Sequence, residues 1–509
     1  MSKSAFSPPN NYHLASAQNP LDSSGDLVRA FLGLLCGTIV IAAAVSGHIV
    51  SPIFAIGMTI ILIAAMARWM PETALIAVLI AMIFQNTFVA LVSPSIDTTT
   101  SFNIVRGYNF VILCGTWGIS VLMYLFHFKG QNSELDRLSN VVFILLGIIG
   151  VYFLIGFVQN PLGAVIYLRS VATAVMLFHV CLIIFGFFKP RFTPVMTMIT
   201  LAIILIGYVE LFFVNEWNRL INGESFWNLT FIDGRNSLIW DRDARERGIV
   251  VKSIFDVFTV DLFNTPLLAD LKISIRRLLG PNLHPISFAY IIGFFLAFSL
   301  YRGKFILAAL LFPLLIFTNA KGPIILLVLV SFAWIAAQLF GHRFAFFSLL
   351  AAVFAYICLG VIVGLSIGDY HVLGFMGGVY NFFEFPIGRG IGTGGNLATN
   401  FAELDWSAYQ AAGRTPIAIE SAVGVLLYQL GFGAFLYLGI CGWFAWKSVQ
   451  VGAKTGQSVH LVAGFMLLVI LANGVFQEEA LFSPLAFGFI MAFNGMILGA
   501  YCKAGGVFR

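Results

Sequence analysis

Eight side chains stand out for the chemistry they could do. Arg276, Arg277, Lys321 and Arg389 are cations beside long apolar runs, and Arg169 lies inside one, AVIYLRSVATAVML. Such cations can stabilise a phosphate and the charge that develops as it leaves. His371 and Glu420 can take or orient a proton. A histidine does so near neutral pH with little perturbation, and a carboxylate can hold a hydroxyl in line. Asn396 closes the stretch GRGIGTGGN (388–396), in which Gly390 to Gly395 carries the GxGxxG spacing of a dinucleotide-binding turn. Alone, that spacing is a weak signal. A nucleotide site needs a strand before the glycines and a helix opening on them, and the preceding GDYHVLGFMGGVYNFFEFPI shows no such strand. The glycines still allow close backbone approach and free N–H groups, which suit either an anionic oxygen or a plain structural turn.

Composition sets the elements that must position these residues. The chain has 509 residues, 60% hydrophobic and 10% charged, with a mean hydropathy of +0.94. A soluble domain carries about 25% charged residues. Apolar runs of about 20 residues recur, each long enough to cross a bilayer. The expected fold class is all-α, a polytopic helical membrane protein with about 14 spans. Their centres fall near residues 37, 59, 83, 117, 149, 175, 203, 292, 311, 331, 354, 433, 468 and 492. In such a protein the net charge of +5 matters by location rather than by sum, and it gives no ground for a nucleic-acid partner. The cysteines at 36, 114, 181, 358, 441 and 502 fall in apolar runs or at their ends, with no CxxC or Cys/His cluster. Neither a disulfide nor a metal is expected.

Short-loop lysines and arginines orient the spans. One set of loops holds Arg68, Lys129, Arg137, Lys189, Arg191, Arg302, Lys304, Arg343, Lys447, Lys454, Lys503 and Arg509; the other holds Arg106 and Lys321. The first set is therefore expected inside, with both termini cytoplasmic. The polar residues 1–26, which lack a basic stretch leading into an apolar core, read as a cytoplasmic tail rather than a signal peptide. An N-terminal transmembrane half follows at 27–215, then a first long external loop at 216–283 and central spans at 284–365. A second long external loop covers 366–420, and C-terminal spans cover 421–509. GRGIGTGGN falls in the second external loop, away from cytoplasmic NAD or ATP. In the first, DRDARERG (241–248) offers i,i+4 pairs of opposite sign, the pattern of a solvated helix face. Residues 254–279 mix apolar side chains with Lys272, Arg276 and Arg277 and are expected to form a helix at the membrane interface. Arg276, Arg277 and Arg169 could equally snorkel, and Glu420 could cap the helix that follows it. Glu478 and Glu479 are expected to be solvated in a short outer loop.

An enzyme with external loops cannot draw on ATP there, so its substrate must arrive activated. A glycan on a polyprenyl diphosphate meets that need, because the diphosphate is the leaving group. RRLLGPNLHPISFAYIIGFFLAF (276–298) resembles the Arg…Gly-x-x-x-x-Pro entry into a span of the O-antigen ligase/polymerase superfamily. IFTNAKGPIILLV (316–328) is similar to its Thr-x-Ser-Arg-Gly element, with Lys321 where the family usually has Arg. HVLGFMGGVYNFFEFPIGRGIGTGGN (371–396), followed by ESAVGVLLYQLGFGAF (420–435), resembles the Wzy-type polysaccharide polymerase branch. The likeness covers roughly residues 270–440, and the first seven spans carry no motif.

The resemblance implies a GT-C-like membrane glycosyltransferase without metal or cofactor. It would join undecaprenyl-diphosphate-linked repeat units, donor and acceptor alike, at the periplasmic face of a bacterial inner membrane. A flippase and a chain-length regulator would be its further partners. His371 and Glu420 would then be catalytic, and Arg276, Arg277, Lys321, Arg389, Arg169 and Asn396 would bind substrate or its diphosphate. Ligases of the superfamily carry a His-Asn pair just before the span that follows the large loop. Glu420-Ser421 stands there in this chain, which favours polymerase. The alternatives are an O-antigen ligase and a lipid-linked oligosaccharide flippase or other transporter. Transporters tend to show internal hydropathy symmetry and broken or charged helices at mid-membrane, and neither is evident here. A cell-wall polymerase of the shape-and-division type shares the general architecture but is separated by the loop motifs.

Overall fold

The computed structural model describes residues 20–188, 190, 192–231, 258–264, 273–396, 398 and 406–508. The DRDARERG stretch lies outside them. Ten helices precede residue 232, the last two of them largely within the first long loop: α1 (Pro20–Val50), α2 (Pro52–Trp69), α3 (Pro71–Val92), α4 (Thr99–Val105), α5 (Tyr108–Met123), α6 (Ser133–Gln159), α7 (Pro161–Phe187), α8 (Thr193–Phe212), α9 (Val214–Leu220) and α10 (Gly223–Phe231). A two-stranded ribbon follows, β1 (Thr259–Asp261) and β2 (Ser274–Arg276). Then come α11 (Pro285–Tyr301), α12 (Phe305–Phe317), α13 (Lys321–Phe340), α14 (His342–Ile367), α15 (Tyr370–Glu384) and α16 (Trp406–Ala412). The last are α17 (Ala422–Leu430), α18 (Phe432–Thr455), α19 (Ser458–Asn473), α20 (Glu478–Phe482) and α21 (Phe489–Lys503). Prolines open α2, α3, α7 and α11 in the first turn, where a missing N–H leaves no bond unmade.

Among the described residues eleven helices are long and apolar enough to cross a membrane, and α11, α12 and α19 are shorter apolar helices. The protein is an all-α polytopic membrane protein. Every expected span centre falls inside one of these helices. The one near residue 433 meets only the start of α18, because the apolar run divides at Gly431. The apolar windows that include α7 and α21 are each 89% buried, against 22% and 17% for α6 and α14. The first pair is thus the centre of the bundle, and the second pair faces outward. Glycine sets the close approach of α7 and α21. A Cβ on Gly495 would sit 2.4 Å from the Phe178 carbonyl oxygen, and one on Gly499 2.5 Å from that of Leu182. Small residues four apart let two spanning backbones meet in this way.

The ribbon corrects the expectation of an interfacial helix over 254–279. Residues 259–261 and 274–276 are extended and antiparallel, with Val260 opposite Ile275. β-branched residues favour that pairing. Asn319, just before α13, fixes it from outside by donating from Nδ2 to the Asp261 carbonyl at 2.8 Å and accepting from the Phe263 N–H.

Candidate functional site

Residues 277–284 run between the ribbon and α11, and most of their backbone N–H groups are tied. Arg277 N–H donates to the Phe258 carbonyl at 2.9 Å and Leu278 N–H to that of Phe317 at 3.1 Å. The Glu210 carboxylate, on the last turn of α8, accepts from Leu279 and Gly280 N–H, each at 2.7 Å. On α3, Thr87 donates to the Pro281 carbonyl and Asn86 to that of Asn282, both at 2.7 Å. Two functional groups are presented by this fixed strip. The Arg277 Nε donates to the Thr318 carbonyl at 3.0 Å, which binds it to the Thr318–Gly322 element. His284 caps α11 by accepting the Ser287 N–H on Nδ1 at 3.3 Å. In neutral His284 the proton therefore stands on Nε2, which faces Glu479 Oε1 at 3.9 Å.

His371 has the opposite tautomer. Its Nδ1 is 3.0 Å from the Glu420 carbonyl oxygen, which can only accept, so Nδ1 carries the hydrogen and Nε2 the lone pair. The Glu420 carboxylate stands 3.9 Å from the same Nδ1, placed to stabilise an imidazolium. Both groups of Glu420 face His371 because the residue is left-handed, with φ 57°. Asn396 holds that shape. Its Nδ2 donates to Glu420 Oε1 at 3.0 Å and its Oδ1 accepts the Glu420 N–H at 3.3 Å. Glu420 is not the cap of α17. Ser421 is, accepting the Gly424 N–H at 3.1 Å.

The expectation that Glu478 and Glu479 are solvated is overturned. Both are half-buried, and Glu478 Oε1 accepts from the Tyr167 hydroxyl at 2.6 Å. Burial, with added repulsion from Glu420 and Glu479, pushes the Glu478 carboxyl up to about 8. Glu479 joins the two halves of the site, for Arg277, His284, Tyr370 and Glu420 all lie within its electrostatic range. Burial lowers the proton affinity of Arg277 and His284, and Glu479 opposes this. Burial raises that of Glu420, and His371 opposes this. One side thus presents a guanidinium and an N–H imidazole, the other a basic imidazole backed by a carboxylate.

The remaining expected residues fall at different removes. Lys321 is the exposed first residue of α13, and Gly322 beside it packs against the Tyr290 hydroxyl and Gln477. Arg276 lies on β2, within electrostatic range of Glu210. Arg169 on α7 is near Arg106, which also acts on His284. Arg389 is not brought to His371. Its guanidinium lies 3.7 Å over the Phe385 ring and its Nε donates to Asn381 at 2.7 Å. Asn381 is ten residues along α15 from His371, about 15 Å.

The glycine-rich stretch is a plug between backbones. Gly390 and Gly392 have φ of 98° and 92°. A Cβ on either would come 2.4 Å from Gly156 N or 2.2 Å from Ala164 N, at the α6–α7 corner. Its N–H groups are largely committed. Arg389, Gly390, Ile391 and Gly395 donate to the carbonyls of Tyr428, Gln429, Tyr152 and Ala418. These amides are not open to an anion. The sequence marked none of His284, Arg106, Tyr167, Glu210 and Glu479 as a site residue. Only His284 had a local signal, its place between Gly280 and Pro285 in the span-entry motif. No protein-family model matches the chain, and neither a curated protein nor a solved structure matches it.

Proposed function

We propose that the protein is a polysaccharide polymerase of the Wzy type, a GT-C-like glycosyltransferase that joins lipid-diphosphate-linked repeat units. In this proposal α11, α12 and α19 also cross, giving fourteen spans. The candidate site faces the periplasm of a bacterial inner membrane, and both termini are cytoplasmic. The observation that carries the proposal is the opposed pair around Glu479: His371 with its lone pair on Nε2, and Arg277 with the N–H of His284.

The chemistry follows from that arrangement. The acceptor sugar hydroxyl attacks the anomeric carbon of the donor, forming a C–O bond as the bond from that carbon to the diphosphate oxygen breaks. His371 Nε2 takes the hydroxyl proton, and Glu420 stabilises the resulting imidazolium. The bonding electrons leave with the diphosphate, whose charge is met by Arg277 and the His284 Nε2–H, with Lys321 at the mouth. Asn396 positions Glu420. The step needs no metal, because the leaving group is already activated.

Purified protein incubated with lipid-linked repeat units should give a ladder of lipid-linked oligomers on a gel. Unchanged single units would count against the proposal. A null strain that accumulates long lipid-linked polymer would instead identify a ligase.

A further inference from the structure

At the far end of α11 from His284, α7, α8, α11, α19 and α21 line a cavity of about 50 Å³ that is open at the surface. Its separation from the outer site follows from the 17 residues of α11, about 26 Å at helical rise. The body of the cavity is apolar, walled by Phe185, Phe192, Met196, Phe298, Phe493 and Met496. Its polar end consists of Arg302, Thr193 and His460. A guanidinium has five N–H donors. Arg302 directs one, on Nη2, to the Thr193 hydroxyl at 3.0 Å. Lys304 donates to the Thr197 hydroxyl, one turn further along α8. Burial lowers the proton affinity of both cations, and at Lys304 the neighbouring Arg302 lowers it further. Among the described residues no carboxylate stands within ion-pair distance of either.

Two partly desolvated cations that share only hydroxyl acceptors are poorly compensated until an anion joins them. Water can sit at the polar end but suits the apolar body badly, where it would find none of the two to four polar partners it needs. A bare anion would satisfy the rim and leave the body empty. An amphiphile fills both. Basic pockets between spanning helices are where acidic headgroups lodge.

We propose that this cavity is a binding site for an anionic phospholipid of the surrounding bilayer. The phosphate lies on Arg302 and Lys304 beside Thr193 and Thr197, and the upper part of one acyl chain lies alongside the Phe298–Phe493 pair, whose rings pack edge to face at 5.7 Å. The site is independent of the outer one and does not rest on the polymerase assignment.

The full chain, purified in detergent, would be titrated with phosphatidylglycerol or phosphatidylcholine and bound lipid counted by native mass spectrometry. Saturable retention of about one phosphatidylglycerol, weakened about tenfold in Arg302→Gln and kept in Arg302→Lys, is the expected result. Met196→Trp, which fills the cavity and leaves the cations, should also lose the lipid. A melting-temperature rise with phosphatidylglycerol but not with inorganic phosphate at equal concentration would support the lipid source. Equal retention of the two lipids, equal retention by wild type and Arg302→Gln, or full stabilisation by inorganic phosphate alone would each overturn the proposal.

Discussion

Replacing Glu420 by Gln tests whether its charge drives the base. The substitution keeps the side-chain shape and an oxygen for the Asn396 amide, so the geometry around His371 should survive. What disappears is the attraction between the carboxylate and an imidazolium whose Nδ1 stands 3.9 Å away. At an effective dielectric of 20 that attraction is about 4 kcal/mol. The two side chains are 23% and 24% exposed, so solvent screening reduces it, to about 2 kcal/mol if halved. A loss of about 2 kcal/mol is about 30-fold in rate at neutral pH. In wild type a further loss enters on the acid side. Burial raises Glu420, so it takes a proton, and loses its hold on the imidazolium, at a higher pH than an ordinary carboxylate. The assay is the initial rate of ladder growth from purified lipid-linked units, measured from acid to alkaline pH for both proteins. A Gln variant with wild-type rate and an unmoved acid limb would refute the assignment of Glu420 as the charged partner. A dead variant whose melting temperature has also collapsed would call for Glu420→Asp, which keeps the charge and should recover part of the rate.

Asn396→Ala removes a charge-assisted hydrogen bond of about 1.5 kcal/mol, so ladder growth should slow about tenfold, and the acid-side loss tied to Glu420 should move to higher pH, because that bond holds the carboxylate's proton affinity down. Arg277→Ala and His284→Ala should each reduce polymerisation by about 10²–10³ with protein still in the membrane, and Lys321→Arg should retain activity; wild-type ladders from both alanine variants would remove the leaving-group assignment. Glu478 binds its proton more tightly folded, at about 8, than at the ordinary 4.5. Its contribution to stability is therefore complete at low pH and is lost as pH rises through that window. The loss is about 5 kcal/mol at most; Glu478→Gln should flatten the fall in melting temperature between those values, and an identical fall in both proteins would reject it. Gly392→Ala should destabilise the fold or prevent its accumulation, since the new Cβ would lie 2.2 Å from Ala164 N; normal expression and melting would contradict the plug.

The spans were legible because a bilayer admits only backbones that satisfy themselves, and long apolar runs meet that demand locally. The loop motifs were legible as places but not as geometry. Arg277, Lys321, His371 and Glu420 carried local signals. Whether they meet depends on pairings such as Glu210 with Leu279 or Asn396 with Glu420, which no local pattern encodes. Glu478 and Glu479 looked solvated because two adjacent glutamates between apolar runs usually are. Glu478 meets Tyr167, more than three hundred positions earlier in the chain, and Glu479 meets His284, nearly two hundred earlier. The ribbon was missed because three-residue strands carry too little alternation to outweigh a basic, apolar composition. Arg389 was grouped with the other cations by its glycine-rich setting, yet aromatic rings and Asn381 hold it at the other end of α15.

The glycine-rich stretch and the candidate catalytic carboxylate belong to one device. Glu420 is left-handed, a conformation that costs a non-glycine residue about 1–3 kcal/mol, and it persists only where its surroundings over-determine it. They do so through residues 395–396. Gly395 N–H donates to the Ala418 carbonyl at 2.7 Å, and Asn396 takes both the N–H and the carboxylate of Glu420. That short pairing requires residues 390–395 to pass between α17 and the α6–α7 corner with no room for a Cβ at Gly390, Gly392, Gly394 or Gly395. It also requires Gly395 to lie against Tyr167, the residue that holds Glu478. The GxGxxG spacing thus arises from backbone contact on both sides rather than from a phosphate. The same contact turns the Glu420 carbonyl toward His371, and that carbonyl fixes the tautomer that leaves Nε2 free to act as a base.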